Sequence, residues 1–120
     1  FVKCGATGAI TGIGTALPKE ALLLAALAQK AAEGHAEARK RALELEEAFS
    51  VLTSFDEGTD LVLYYKYLLV LNGEEEYRLH FNETDALSDA QRSYCEAQYT
   101  LFQNWFADWS KQGGIIAKCM

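Results

Sequence analysis

The chain has 120 residues, of which 50% are hydrophobic and 23% are charged, as in ordinary globular domains. That length predicts one domain with a modest core. The formal net charge of −6 gives no general attraction to phosphate groups, so neither nucleic acid nor a membrane surface is expected as a partner. The longest apolar run, residues 61–71, contains Lys66 and is far shorter than the roughly 20 residues that cross a bilayer, so it predicts a buried helix.

The cysteines and the methionine indicate the setting of the chain. Cys4, Cys95 and Cys119 are widely spaced, no pair has the spacing of a metal or redox motif, and three cysteines cannot all pair within one chain. We therefore expect free thiols in a reducing compartment, the cytoplasm. Met120 is the one methionine, so we expect that Phe1 is not a native start and that the chain is a processed or truncated piece.

The first element in the chain is rich in glycine. The segment Gly8–Ile13 combines glycine with β-branched residues, which predicts a short buried strand whose backbone is closely approached. A single strand has no partner within this sequence for its N–H and C=O groups. We therefore expect residues outside these 120 to complete a sheet around it.

Two helices are predicted next. Alanine- and leucine-rich sequence predicts a helix over Lys19–Glu33, with Pro18 in its first turn and Gly34 at its end. A second helix is predicted from about residue 36 to residue 53, because apolar residues recur there at helical spacing. The polar residues that follow predict a break between this helix and the next.

Two later helices have boundary signals of their own. Asp60 is predicted to cap a helix that runs to Asn72 and is closed by Gly73. Ser88 and Gln91 have the pattern of a capping box, which predicts that the last helix begins there and runs to about residue 109. The remaining expectations are irregular structure over residues 74–87 and a frayed tail from Gly113.

The glycine cluster does not match a nucleotide-binding motif. A dinucleotide fingerprint that begins at Gly12 needs glycine at position 17, which is Leu17, and the Gly-Lys-Ser/Thr of a P-loop is absent. Two interpretations stay open: close packing of the backbone, or a strand that lines a small-molecule pocket with its peptide groups, Thr7 and Thr11.

Few other residues suggest chemistry. Lys66 interrupts an apolar helix, as a Schiff-base lysine could, but the favoured interpretation is that its stem packs while its ammonium reaches solvent or caps a carbonyl. Lys3 is a weaker candidate, His35 is expected to be exposed, and His80 is expected to be structural. The aromatic stripe of the last helix is expected to be core or a subunit contact, and no Ser/His/Asp triad can be assembled.

Three segments resemble, in order, the carboxyl-terminal part of the dihydrodipicolinate synthase / N-acetylneuraminate lyase family. The first, similar to the eighth barrel strand of that family, is Gly5-Ala6-Thr7-Gly8-Ala9-Ile10-Thr11-Gly12. The second, similar to an apolar helix of the family, is Tyr65-Lys66-Tyr67-Leu68-Leu69 leading to Asn72-Gly73. The third, similar to the connection before the final helix, is Tyr77-Arg78-Leu79 with Leu87-Ser88.

Departures from the family pattern indicate a divergent branch. They occur at Thr15, at His80-Phe81 and at Asp56-Glu57-Gly58. The run from His80 to Ser88 resembles the branch that acts on 2-keto-3-deoxy sugar acids such as L-2-keto-3-deoxyarabonate.

The resemblance implies a fold and an assembly. The parent would be an α/β protein, a (β/α)8 TIM barrel followed by three extra helices, and this chain would be its mostly helical C-terminal piece. Residues 1–34 would be the last β/α unit of the barrel, and residues 35–120 the helical extension. The upstream part of the same barrel would be the partner of this segment, and the enzyme would be a cytoplasmic homo-oligomer, a tetramer by family analogy.

The resemblance also implies a site. In the family, a lysine of the sixth strand forms a Schiff base with a 2-keto acid substrate, and a tyrosine of the fourth strand relays protons. Both positions lie upstream of Phe1, so this chain is expected to hold no catalytic residue and to be inactive alone. Ile10 would form an apolar wall against the bound keto acid, with Thr11 and Gly12 beside it in the pocket. No metal or organic cofactor is implied, because the lysine supplies the electron sink.

Dehydration of a 2-keto-3-deoxy sugar acid is the reaction that we expect of the parent. Aldol cleavage, or a condensation of the dihydrodipicolinate synthase type, is the alternative within the same family. An alternative of a different class is a free-standing, non-enzymatic helical interaction domain whose aromatic stripe docks a partner.

Overall fold

The computed structural model describes residues 4–9, 11–80 and 82–120 of the chain. These residues form six α-helices and no strand, so the expectation of a mostly helical chain is confirmed. In chain order the helices are α1 (Ile13–Ala16), α2 (Pro18–Ala32), α3 (Ala36–Thr53), α4 (Leu61–Leu71), α5 (Asp89–Trp109) and α6 (Gly114–Cys119). Single turns of 3-10 helix lie at Ser54–Glu57 and Glu75–Arg78.

Helix α2 begins and ends where the sequence predicts. Pro18 occupies its first turn, where a missing N–H costs nothing. The chain leaves α2 through Gly34, whose φ of +101° strains any residue other than glycine. The N–H groups of Gly34 and His35 donate to the carbonyls of Ala31 and Lys30 at 3.0 and 3.2 Å, which is the pattern of a Schellman motif. Carbonyls that the end of the helix would leave without partners are thereby satisfied.

The same motif ends α4 at the predicted glycine. Gly73 has a φ of +98°. Its N–H donates to the carbonyl of Val70 at 2.9 Å, and the N–H of Glu74 donates to the carbonyl of Leu69 at 3.0 Å. Asn72 is the last residue before this turn, so its side chain projects from the end of α4.

The capping box predicted for α5 is confirmed, but the cap predicted for α4 is wrong. The N–H of Ser88 donates to Gln91 Oε1 at 2.8 Å, and the N–H of Gln91 donates to Ser88 Oγ at 3.1 Å. Asp60 stands at the cap position of α4 without a side-chain bond to that helix. Its Oδ2 instead accepts from Gln91 Nε2 at 2.8 Å, so the carboxylate joins the start of α4 to the first turn of α5.

The strand predicted over Gly8–Ile13 is absent from the described residues. Of the described residues before Ile13, all except the half-buried Ala6 are exposed, and none of them lies in a strand. Ile13 itself begins α1, and Ile10 lies outside the described residues. Within the described part of the chain, no backbone hydrogen bond reaches residues 6–9. A strand needs a neighbour that completes its ladder of hydrogen bonds, and the described residues supply none.

Instead of a frayed tail from Gly113, the chain forms α6. Gly113 has a φ of +78°, and Ile116 in the helix that follows is fully buried. Six residues are too few for a readable hydrophobic period, which is why the sequence does not predict this helix.

One core connects the helices. Phe55, in the segment predicted to be a polar break, is among its most buried side chains and stacks on Tyr64 with ring centroids 4.6 Å apart. The other large side chains that are fully buried are Leu27, Leu45, Leu52, Leu68, Ile116 and Cys95. Among the helices that the structure describes, none is both long and apolar enough to cross a lipid bilayer.

The chain is more extended than a compact domain of its length. Its radius of gyration is 15.7 Å, against about 13.6 Å expected for a compact domain of this many residues. Its accessible surface is 7888 Å², against roughly 6450 Å² expected for a compact monomer of 13.3 kDa. Leu22 and Leu79 are 71% and 78% exposed. The chain therefore exposes more surface than a compact monomer of this size, and these two leucines make part of that surface apolar.

Two leucines of α2 test the core. Leu27 is fully buried and Leu22 is 71% exposed. We expect Leu27→Ala to lower the free energy of unfolding by about 2–5 kcal/mol, because it removes buried methyl groups and leaves a cavity. Leu22→Ala, the matched control, should change that free energy by less than about 0.5 kcal/mol. Urea unfolding followed by circular dichroism measures both, and equal losses in the two variants would contradict this packing.

Candidate functional site

The residues predicted to line a pocket lie on a short bend that leads into α1. Thr11 and Gly12 are exposed, and Gly12 caps α1 with helical backbone angles, φ −68° and ψ −47°. Ile10, the third predicted wall residue, lies outside the described residues. Thr11 and Gly12 therefore stand together at the surface, within reach of a ligand or of another segment.

Tyr65 of α4 lies directly against Gly12. A Cβ atom added to Gly12 would stand 2.9 Å from Cε2 of the tyrosine ring and 3.1 Å from its hydroxyl oxygen, and real side chains do not approach as closely as the first of these distances. Tyr65 is buried, so its ring has little room to move aside. A Cβ atom on Gly14 would stand 2.6 Å from Thr11 Cγ2. A buried side chain thus packs closely on Gly12, whereas the side chain next to Gly14, that of Thr11, is exposed.

A hydrogen-bonded brace of Asn72, Tyr99 and Gln103 holds the end of α1. Asn72 Nδ2 donates to the carbonyl of Ala16 at 3.1 Å. The Tyr99 hydroxyl donates to Asn72 Oδ1, and Gln103 Nε2 donates to the Tyr99 oxygen at 2.5 Å. One amide side chain thereby joins α1 to α5 across the end of α4.

Tyr99 is suited to its role as a donor because its hydroxyl stays protonated. Burial in the core raises the pKa of Tyr99, the negative charge of Glu20 raises it further, and the bond from Gln103 acts in the opposite direction. A raised pKa in the folded state means that this contribution to stability is present below the ordinary tyrosine pKa and is lost as the pH rises through the folded-state value. The brace is therefore intact at neutral pH.

Lys66 and His80 are in contact, although no pattern in the sequence predicts that they meet. Lys66 Nζ lies 2.9 Å from His80 Nδ1 and also donates to the carbonyl of Leu79. An ammonium group can only donate, so His80 Nδ1 is the acceptor. The expectation that Lys66 caps a carbonyl is confirmed, and the contact fastens the segment after the 3-10 turn Glu75–Arg78 to α4.

The other candidates from the sequence do not form a site. His35 is exposed, as predicted, and its Nε2 lies 4.0 Å from Glu33 Oε2. Lys3 lies outside the described residues. In the part of the chain that the structure describes, no group of three His, Cys, Asp or Glu side chains could hold a metal ion.

The aromatic stripe of α5 packs mainly into the core, as predicted. Phe102 stacks on Phe49 of α3 with ring centroids 5.3 Å apart, and Trp105 stacks on Trp109 at 5.0 Å. Trp109 Nε1 donates to Glu44 Oε2 at 2.8 Å. That bond is the main cause of a lowered pKa for Glu44, because it stabilises the ionised carboxylate. These contacts hold α5 against α3 and give the stripe a structural role.

The sequence does not predict the residues that hold the Thr11–Gly12 bend in place. Tyr99 and Gln103 are four residues apart and share one face of α5, which is a signal that they interact. Their partner Asn72 lies 27 residues before Tyr99 and 56 residues after Ala16. No local pattern in the sequence connects residues at such separations.

No protein-family model and no curated protein sequence matches this chain. The family resemblance therefore rests on the sequence motifs quoted above.

Two glycines test the contact at the bend. Gly12→Ala is expected to lower the free energy of unfolding by about 1–3 kcal/mol, because the added Cβ atom forces Tyr65 or α1 to shift. Gly8→Ala is the matched control, since nothing lies within 4 Å of the Cβ position there. Denaturant unfolding of both variants measures the difference. Equal stability of the two variants would show that the ring does not confine Gly12.

The thiols provide a second test of the packing. All three cysteines are free, with Cys4 exposed, Cys119 half-buried and Cys95 buried. Burial raises the pKa of the Cys95 thiol to about 12, so almost no reactive thiolate forms there near neutral pH. We expect iodoacetamide to alkylate Cys4 readily and to reach Cys95 only after denaturant is added, as peptide mass spectrometry can follow. Alkylation of Cys95 in the native chain at the rate of Cys4 would contradict its burial.

Proposed function

We propose that the chain is the C-terminal segment of a Schiff-base-forming lyase that acts on a 2-keto acid. The parent enzyme would dehydrate a 2-keto-3-deoxy sugar acid such as L-2-keto-3-deoxyarabonate. Residues 1–34 would be the last β/α unit of a TIM barrel and residues 35–120 its helical extension. One observation carries the proposal: the glycine-rich segment is anchored at Gly12 against Tyr65, while residues 6–9 form no backbone hydrogen bond within the described chain.

The positions of the helices support the resemblance. Helix α2 begins at the proline that follows the glycine-rich segment, and α4 ends at Asn72-Gly73. Helix α5 begins directly after Ser88, at the end of the third family-like motif. The landmarks of the three motifs thus coincide with element boundaries, in the order that the resemblance requires.

The large accessible surface supports a larger parent. The surface of 7888 Å² exceeds the value expected for a compact monomer by roughly 1400 Å². That excess is larger than the roughly 800 Å² that each partner of a standard protein–protein interface buries. An upstream barrel of the same enzyme, and other subunits of a homo-oligomer, would cover surface of this kind.

The chemistry proposed for the parent follows from iminium formation. The amine of an upstream lysine condenses with the 2-keto group and releases water, and the resulting cation makes the C3 proton acidic because it can accept the electron pair. Loss of the C3 proton followed by loss of the C4 hydroxyl as water gives dehydration, whereas cleavage of the C3–C4 bond gives aldol products. In this scheme Ile10, Thr11 and Gly12 form the pocket wall, and the electron sink is the lysine itself.

Borohydride trapping tests the proposal on a longer protein that includes the upstream barrel. Incubation with L-2-keto-3-deoxyarabonate or pyruvate and borohydride should add the mass of the reduced keto acid to the sixth-strand lysine, as mass spectrometry detects. A variant with arginine in place of that lysine is the control and should gain no mass. If the unaltered protein forms no adduct with either keto acid, the proposal is wrong.

Product analysis on a panel of 2-keto-3-deoxy acids separates the reactions within the family. Dehydration keeps the carbon chain of the substrate whole and removes one water. Aldol cleavage gives pyruvate and an aldehyde, and a synthase consumes pyruvate in a condensation. We expect the dehydrated keto acid as the main product, and pyruvate as the main product would move the assignment to an aldolase.

A free-standing helical interaction domain is the second candidate. The observation that favours it is that one core connects the described helices without any strand. Its docking surface would be the open groove of about 590 Å³ between α3 and α5, where Val51, Leu101 and Trp105 lie beside the carboxylates of Glu44 and Glu47.

Thermal melting of the 120-residue chain separates the two candidates. A lyase segment should melt over a broad range or aggregate, because its glycine-rich segment and its exposed apolar side chains lack their partners. A free-standing domain should melt cooperatively as a monomer or dimer. Circular dichroism with light scattering distinguishes these outcomes, and a sharp melt without aggregation would favour the interaction domain over the lyase.

A further inference from the structure

We infer that Asn72 is a positioning residue that fixes the pocket wall at Thr11 and Gly12 by holding the end of α1. The inference rests on the function proposed above. It goes further by giving the helical extension a part in binding the 2-keto acid.

Asn72 uses both ends of its amide. Its Nδ2 donates to the carbonyl of Ala16 at 3.1 Å, and its Oδ1 accepts from the Tyr99 hydroxyl. The Tyr99 hydroxyl also accepts from Gln103 Nε2 at 2.5 Å, so its own proton is directed at Asn72. An amide whose oxygen is held in this way can present only its NH₂ group to Ala16. Tyr99 therefore orients the Asn72 amide so that its NH₂ group donates to the last residue of α1.

A hydrogen bond to the carbonyl of Ala16 affects the position of the whole of α1. Helix α1 is a single turn of four residues, and it is closed by bonds from the Thr15 N–H to the Gly12 carbonyl at 3.1 Å and from the Leu17 N–H to the Ile13 carbonyl at 2.9 Å. Carbonyls at the end of so short a helix lack partners within it. A bond that fixes the last residue of this turn also fixes its first residue, because only one turn separates Ala16 from Gly12.

The other side of the bend is already confined. Tyr65 leaves no room for a Cβ atom on Gly12 and is itself buried. Gly12 thus has the ring on one side and, one turn further along, the anchor from Asn72. A wall that touches a small ligand must hold its position to within a fraction of an ångström. Loss of the anchor is therefore expected to weaken ligand binding without touching the reacting lysine.

Asn72→Asp isolates the anchor. The aspartate has nearly the same shape and keeps an oxygen that accepts from Tyr99, but it loses the N–H that donates to Ala16. Gln98→Glu is the matched control, because Gln98 Nε2 donates to the carbonyl of Val51 at 3.1 Å and joins α5 to α3 without involving α1. Both variants lose one amide-to-carbonyl bond and gain one negative charge.

Hydrogen exchange on the longer protein that includes the upstream barrel tests the structural half of the inference. The amides of Thr15 and Leu17 should exchange at least about fivefold faster in Asn72→Asp, and at an unchanged rate in Gln98→Glu. Tyr99→Phe, which keeps the ring but removes the hydroxyl that orients Asn72, should shift the same amides in the same direction. If the exchange of these amides in Asn72→Asp equals that in Gln98→Glu, Asn72 does not position the bend and the inference is overturned.

Kinetics on the longer enzyme test the functional half. Asn72→Asp should raise KM for the keto acid by about fivefold or more while kcat changes little, and Gln98→Glu should leave both unchanged. If each substitution only weakened the fold, both variants would have a lower melting temperature, and neither would show a raised KM with an unchanged kcat. If the unaltered enzyme forms a trapped adduct but the two variants have equal KM, this inference fails while the proposed function stands. If no adduct forms at all, the proposed function fails, and the exchange experiment alone decides whether Asn72 positions the bend.

Discussion

Tyr65 can lie beneath Gly12 only because Gly12 has no Cβ atom. An added Cβ atom would stand 2.9 Å from the ring, and the ring belongs to the same core as Leu68 on the next turn of α4. Any larger residue at position 12 would force either the Tyr65 ring to shift or α1 to move away from α4, and we consider the second case. The 3.1 Å bond from Asn72 to the Ala16 carbonyl would then lengthen, because both contacts depend on the same spacing of the two helices. This one approach of ring to backbone therefore limits how closely α1 and α4 can pack.

The segment before this contact has the opposite character. Residues 6–9 make no backbone hydrogen bond within the described part of the chain, and all of them except Ala6 are exposed. The chain is thus packed against Tyr65 at Gly12, whereas residues 6–9 form no backbone hydrogen bond with the described residues. In the proposed enzyme, neighbouring barrel strands would supply the missing hydrogen bonds, and the anchored end would carry Thr11 and Gly12 into the pocket. The lyase proposal explains why the segment packs at Gly12 yet forms no backbone hydrogen bond with the described residues at positions 6–9. A purely helical domain does not require such a segment.

Local chemistry made much of this fold predictable. Gly34 and Gly73 end their helices because a positive φ is needed there, and Ser88 with Gln91 starts α5 through bonds that span only three residues. What the sequence does not predict depends on distant partners. Asp60 has the chemistry of a helix cap, but its carboxylate accepts a hydrogen bond from Gln91. Phe55 lies in a segment of polar sequence and is nevertheless buried, because Tyr64 stacks on it. The brace also depends on distant partners, since Asn72 donates to a residue 56 positions earlier in the chain, Ala16.

Hydrogen exchange at residues 6–9 tests the central claim most directly, because it asks whether this backbone has partners in a larger protein. The amides should exchange at nearly the rate of an unstructured peptide in the 120-residue chain. In a longer protein that contains the upstream strands, they should be protected by at least about a hundredfold, as in the interior of a sheet. Equal and rapid exchange in both proteins would contradict the account, because the glycine-rich segment would then not be a strand of a barrel.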